Sequence, residues 1–344
     1  MNPREIKTLM KKLFAATLSA LLLVGCQTPT ATGSKDWVEY KGKSGPGKGK
    51  HIVFLAGDEE YRSEEALPQL AKILSQRHGF KCTVLFSVDT NGVINPKAGG
   101  SLTHPEALDS ADAIVMSLRY RHWNDDAMKK FEAAVNRGVP IVGLRTSTHA
   151  FNGIPKESPY AKWNSGNKGG FGRQVLGETW VDHWGKHKVE ATRGIIEASA
   201  KNDPVMRGVE DIFGTTDVYE AHPPADVKIL FRGQSLVGMK PTDAPADYKR
   251  KTQGINDPMM PIAWTREVKN EAGKVNKVLC TTMGAATDFE NEGLRRLMVN
   301  GIYWGLGLEV PAKANVDLVG EYKPTMYGFD GFIKGVTPAS HALK

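Results

Sequence analysis

The sequence predicts an α/β chain: an open parallel sheet with helices on both faces, followed by an irregular C-terminal elaboration. Three observations support this. Continuous apolar runs recur at residues 51–56, 80–88, 113–118 and 139–144, and unbroken β-branched runs are the mark of strands buried on both faces. Stretches of helical period separate them, which is the alternation of a sheet with right-handed crossovers. Charged residues follow three of the four runs, where such sheets hold their ligands.

Taken in order, residues 51–56 end at Gly57, and Ser63 is placed to cap a helix from Glu64. Ala66, Leu67, Leu70, Ile73 and Leu74 give that helix an apolar stripe, and Gly79 stops it. Residues 80–88 and 113–118 are the next strands. A helix from Asp125 turns Ala127, Phe131, Ala134 and Val135 inward and stops at Gly138, before the strand at 139–144. The second half is less regular. Strands are expected at 188–195, 217–220, 227–231, 261–264 and 277–281, with a capped turn at 202–206. Leu294, Leu297, Met298, Ile302 and Tyr303 mark a last helix at 292–306. The α/β domain is therefore expected over 51–310, and 311–344 as a tail that wraps the surface.

The first 25 residues read as a lipoprotein signal. Lys11 and Lys12 precede an apolar run, 13–24, too short to span a bilayer stably, and Gly25 and Cys26 close it. The Cys26 thiol is the expected lipid acceptor, and Gln27 after it favours outer-membrane sorting; an ordinary signal peptide is the alternative. The compact signal begins at Met10. The expected location is the cell envelope, anchored by lipid in the outer membrane and facing the periplasm. Residues 26–50, rich in Thr, Ser, Gly, Pro and Lys, read as a flexible tether. Loss of the signal lowers the formal charge from +7 to +4, and no Lys/Arg cluster is interleaved with aromatics. Nucleic acid is not an expected partner. Cys82 and Cys280 lie in apolar runs, either as two buried thiols or as a disulfide.

Three strand ends carry the polar groups. Gly57, Asp58, Glu59, Glu60, Tyr61 and Arg62 follow the first strand; Arg119, Tyr120, Arg121, His122, Trp123 and Asn124 follow the third; Arg145 to His149 follow the fourth. These ends are expected to converge on one crevice. The acids after the first strand stand where a pyrophosphate would need backbone N–H groups, so a nucleotide cofactor is not expected.

The run 143–151, Gly-Leu-Arg-Thr-Ser-Thr-His-Ala-Phe, with 119–124 before it, resembles the ThuA-like family, named for a trehalose-utilisation protein. Further matches follow in order at Phe171-Gly172, 175–177, 180–187, 203–205, 216–219, 261–264 and 281–284, ending at Asp288-Phe289 and the last helix. The resemblance spans about 51–307. It implies a flavodoxin-like core related to class I glutamine amidotransferases, and chemistry on oxidised or 3-keto sugars and glycosides, often beside a sugar oxidoreductase. Ala285 departs from the family pattern, in which histidine often follows the glycine. The turn after the fourth strand has no cysteine, which excludes glutaminase chemistry. Ser147 and Thr146 lack the small-residue elbow of a serine hydrolase.

The residues leave several roles open. His149, His183 and His187 with Glu60 are candidate ligands for a divalent metal such as zinc, which would polarise a sugar carbonyl. The same imidazoles also suit proton exchange or plain hydrogen bonding. His149, Glu60 and Arg145 are the candidate catalytic residues; Arg119, Arg121, Trp123, Trp180 and Asp217 are the candidate substrate contacts. Trp184 and Glu220 are further wall candidates. The expected function is lysis, hydrolysis or isomerisation of an oxidised sugar or glycoside. The alternative is a lipid-anchored carbohydrate-binding or scaffold protein without chemistry.

Overall fold

The computed structural model describes residues 36–343. The signal segment, Cys26 and the start of the tether lie outside them. The strands are β1 Trp37–Lys41, β2 His51–Gly57, β3 Lys81–Phe86, β4 Ala113–Leu118, β5 Ile141–Leu144, β6 Thr192–Ile196, β7 Phe213–Gly214, β8 Val227–Ser235, β9 Lys249–Arg250, β10 Gln253–Gly254, β11 Met260–Lys269 and β12 Val275–Thr281. The α-helices are α1 Ser63–His78, α2 Asp125–Asn136 and α3 Glu292–Gly305.

One sheet of ten strands runs in the order β1-β3-β2-β4-β5-β12-β11-β8-β6-β7, while β9 and β10 form a separate ladder. Strands β3, β2, β4, β5 and β12 are mutually parallel. The expected first, third and fourth strands do lie together in this parallel core. The two halves of β2 alternate sides. Ile52 and Phe54 face a core shared with α1 and α3, and Val53 and Leu55 face one shared with α2 and the aromatic residues of 151–171.

The structure corrects the all-parallel expectation. Beyond β12 the sheet turns antiparallel through β11, β8, β6 and β7. The cause lies in the connections. A tight turn closed by Asn270 and Lys274 joins β11 to β12, and Gly273 has φ 77° there. Such a link is too short for the crossover that parallel neighbours require. The fold is α/β with a mixed sheet and flanking helices.

The tether expectation also needs correction at its C-terminal end. Trp37–Lys41 forms an edge strand antiparallel to β3. Its alternation puts Val38 and Tyr40 into the core, and the Tyr40 hydroxyl donates to the His341 carbonyl at 2.7 Å. Residues 217–220 make no strand, only a bridge between His183 and Tyr219. Ser63 does not cap α1 from outside the helix: Arg62 takes the cap position in the left-handed region, and the Ser63 hydroxyl accepts from the Asp58 N–H at 3.0 Å. Cys82 and Cys280 are buried free thiols. No helix among the described residues is long and apolar enough to cross a membrane.

His51 anchors the start of β2 beneath the surface. Its ring nitrogens meet the Ser110 hydroxyl at 2.9 Å and the Thr83 hydroxyl at 2.8 Å. Burial, with Lys81 nearby, pushes the imidazole down to about 4. Between that value and the ordinary one near 6.5 the unfolded chain binds the extra proton, so this contribution is present above pH 6.5 and lost as pH falls through about 4. Urea unfolding of wild type and His51→Gln at pH 7 and pH 4.5 checks it. The variant should show a shallower acid loss; an identical loss in both would mean His51 does not titrate with folding.

Candidate functional site

The site forms at the carboxyl ends of β2, β4 and β5, where the turns are held by buried hydrogen bonds. Asp58 accepts from the N–H groups of Glu60 at 2.7 Å and Tyr61 at 2.8 Å. Its other oxygen takes the Thr146 hydroxyl, tying the end of β2 to that of β5. Arg119 N–H bonds to the Gly57 carbonyl at 3.0 Å, and Tyr120 N–H to the His149 carbonyl at 3.1 Å.

Asp217 is the hub. One carboxylate oxygen receives Arg145 Nη2 at 2.9 Å and lies 3.1 Å from His187 Nδ1; the other lies 2.7 Å from His183 Nδ1. His187 Nε2 reaches Glu60 at 3.1 Å. His183, His187 and Asp217 each offer a ligand atom, and these atoms lie within 4.8 Å of one another. Two imidazoles and a carboxylate form the donor set of many divalent-metal sites. Glu60, bonded to His187, borders this cluster, as expected. His149 does not join it: its ring lies 5.1 Å from Tyr120 and 5.8 Å from Trp180.

The electrostatics follow from those contacts. Burial alone would raise Asp217, yet Arg145 and the hydrogen bonds from His183 and His187 hold its carboxyl below the usual carboxylate range. Hydrogen bonds to Asp217 and Glu60 push the His187 imidazole up to about 9. His149 goes the other way: burial, then the charges of Arg119 and Arg145, hold it well below the ordinary histidine value. The two imidazoles are thus shifted in opposite directions, His187 toward its charged form and His149 toward its neutral one.

Several expected site residues have structural duties instead. Arg145 is fully buried. Its Nη1 donates to the carbonyls of Asp217 and Thr282, each at 2.7 Å, and its guanidinium lies 3.6 Å from the Tyr219 ring centre. It cannot touch a substrate; it positions Asp217. Arg121 is likewise buried, bonded to the Arg119 carbonyl at 2.6 Å, the Pro96 carbonyl at 2.8 Å and Glu59 at 2.8 Å. Trp123 packs in the core against Phe131 and Phe151, and Trp184 is buried with its indole N–H on the Ile255 carbonyl. Glu220 pairs with Lys251 and His222. The Ser147 hydroxyl donates to the Met116 carbonyl at 2.8 Å, and Thr146 serves Asp58, so neither is placed as a nucleophile.

Arg119 and Trp180 keep solvent exposure, while His149 is buried beneath them between the rings of Tyr120 and Trp180. Arg119 and His149 flank the same ring, 4.5 Å and 5.1 Å from the centre of Tyr120, and so fall within reach of one sugar-sized ligand. Sequence reasoning missed Glu59, which pairs with both Arg119 and Arg121. It also missed Tyr61 and Tyr219, whose hydroxyls meet at 3.3 Å beside Arg145. A signal was present for Tyr61, which stands within the acidic turn after the first strand.

Removing one member of a buried ion pair strands the other. Arg145→Met should therefore cost about 3–5 kcal/mol of stability, while Arg145→Met combined with Asp217→Asn should recover part of that loss. A double-mutant cycle by urea unfolding measures it; additive losses would show that the two side chains are not energetically coupled.

A family model described as ThuA, trehalose utilisation, matches residues 51–305. Among solved structures, a thua-like protein from Parabacteroides merdae is 13% identical, with 82% of this chain and 98% of that one covered at a TM-score of 0.48. A thua-like protein from Bacteroides uniformis is 16% identical, with 76% and 92% covered and a TM-score of 0.45. The glutaminase domain of Trypanosoma brucei CTPS is 13% identical, with 77% and 98% covered and a TM-score of 0.34. A comparison with curated proteins finds no match. The family model covers most of the chain, residues 51–305, and the chain belongs to the ThuA family.

Proposed function

We propose that the protein is a carbohydrate-active enzyme that acts on an oxidised, 3-keto sugar or glycoside with the help of a divalent metal such as zinc. The observation that carries this reading is the meeting of His183, His187 and Asp217 beside Glu60, in a chain of a family described by trehalose utilisation. A metal held there would polarise the carbonyl of the keto sugar. In this reading Glu60 and His149 would move protons, and Arg119 and Trp180 would hold the sugar. Asp217 orients the two imidazoles, and Arg145 holds Asp217. The lipid anchor at Cys26 would keep this activity at the outer membrane facing the periplasm, where a sugar oxidoreductase would supply the keto substrate.

The test is turnover of 3-keto-glycosides and their parent glycosides, with chelator and with added zinc. The keto substrates alone should be turned over, with activity lost on chelation and restored by metal. His149→Ala should lower turnover by roughly 10²-fold, the lower range for a positioned acid–base group, and leave metal binding intact. Binding of glycosides without turnover under any metal condition would instead support a carbohydrate-binding scaffold.

A further inference from the structure

The family match ends at residue 305, yet the rim of the site does not close without residues beyond it. On one side, Arg119 lies 4.5 Å from the Tyr120 ring centre, Tyr120 lies 5.1 Å from His149, and His149 lies 5.8 Å from Trp180. On the other, Trp180 lies 6.1 Å from His183, and His183 4.6 Å from His187. Two tail residues join the free ends. Tyr327 lies 5.6 Å from His187, and Phe329 lies 5.0 Å from the Arg119 guanidinium.

The tail is fastened where it crosses the site. The Tyr327 ring stacks on Tyr61 at 5.1 Å, and its hydroxyl donates to the Thr215 carbonyl at 2.9 Å. Ala285 is buried against both tyrosines, and its methyl group leaves the room that this ring fills. Gly328 N–H donates to the Glu60 carbonyl at 2.8 Å, and its own carbonyl accepts from Arg62 at 2.6 Å. Glycine is needed there. Its φ is 148°, a backbone conformation that L side chains rarely adopt. Asp330 then pairs with Lys97. Phe329 is held between these fixed points, yet 53% of it is exposed. A solvent-facing aromatic ring beside an arginine at the edge of a polar site is suited to receive a ring face.

We infer that the C-terminal tail forms one wall of the ligand site, and that Phe329 is a specificity-determining residue that receives the second ring of a glycoside. Phe329 and Trp180, itself 36% exposed, stand at opposite points of the rim circuit. The polar groups between them suit the hydroxyls and carbonyl of one sugar, and Phe329 would meet the aglycone or second sugar joined to it. The inference rests on the carbohydrate reading and narrows it to glycosides whose leaving group carries a ring.

Calorimetric titration with methyl and phenyl glucosides, in both anomers, tests this on the full protein. Wild type should bind the phenyl glucoside more tightly than the methyl one. Phe329→Ala should weaken the phenyl glucoside by about 5- to 10-fold, leave the methyl glucoside unchanged, and keep the wild-type melting temperature and zinc affinity. Phe329→Trp should restore the preference. Equal binding of the two glucosides by wild type, or an equal effect of Phe329→Ala on both, overturns the role of Phe329 and leaves the carbohydrate reading standing. Wild type that binds neither glucoside overturns the role of Phe329, and if it also turns over no 3-keto-glycoside the carbohydrate reading falls with it.

Discussion

Arg145 and Asp217 form an ion pair whose side chains have no exposure to solvent, and the geometry of the site depends on it. Burying two charges costs several kcal/mol per ion unless nearly every lone pair and proton finds a partner. Here the demand is largely met by the site itself: Asp217 is satisfied by Arg145 and two imidazoles, and Arg145 by two backbone carbonyls and the Tyr61 hydroxyl. The pair therefore sets where His183 and His187 stand. Its main yield is position rather than stability.

Arg145 also sits in a strained backbone conformation, with φ 44° immediately after β5. A non-glycine residue there costs of order 1–3 kcal/mol and persists only when its surroundings fix it. The bonds from its N–H to the Met283 carbonyl and from its guanidinium to Thr282 and Asp217 supply that fixing. A sharp turn after a sheet strand is also where an exposed nucleophile can be presented. In this chain an inward-pointing arginine occupies it, so the turn organises a carboxylate and two imidazoles instead.

Much of the fold was legible because it rests on local pattern. The unbroken apolar runs of β2 and β4 and the stripe of α1 have one economical solution, a parallel sheet with covering helices. The antiparallel half was not legible, because strands such as β11 and β8 show no period that distinguishes their direction; the turn at Asn270 decides it. The edge strand β1 was hidden by the composition around it, although Val38 and Tyr40 alternate as a half-buried strand should. At the site, the convergence of strand ends could be read, and so could the histidines of 183–187. What could not be read was which charged residue faces water. Arg119 and Arg121 are two residues apart and look alike in sequence, yet Arg121 is buried by Pro96 and Glu59 while Arg119 stays at the rim. The tail's part in the site was also illegible, since a Gly-rich terminus gives no sign of where its aromatic residues land.

His183, His187 and Asp217 form a candidate metal centre, and the proposed function depends on its holding an ion. Anomalous diffraction from crystals grown with zinc, recorded at the zinc edge, tests it most directly. The account predicts one strong peak between the two imidazoles and the Asp217 carboxylate, abolished in Asp217→Ala. No peak there in crystals grown with zinc would contradict it.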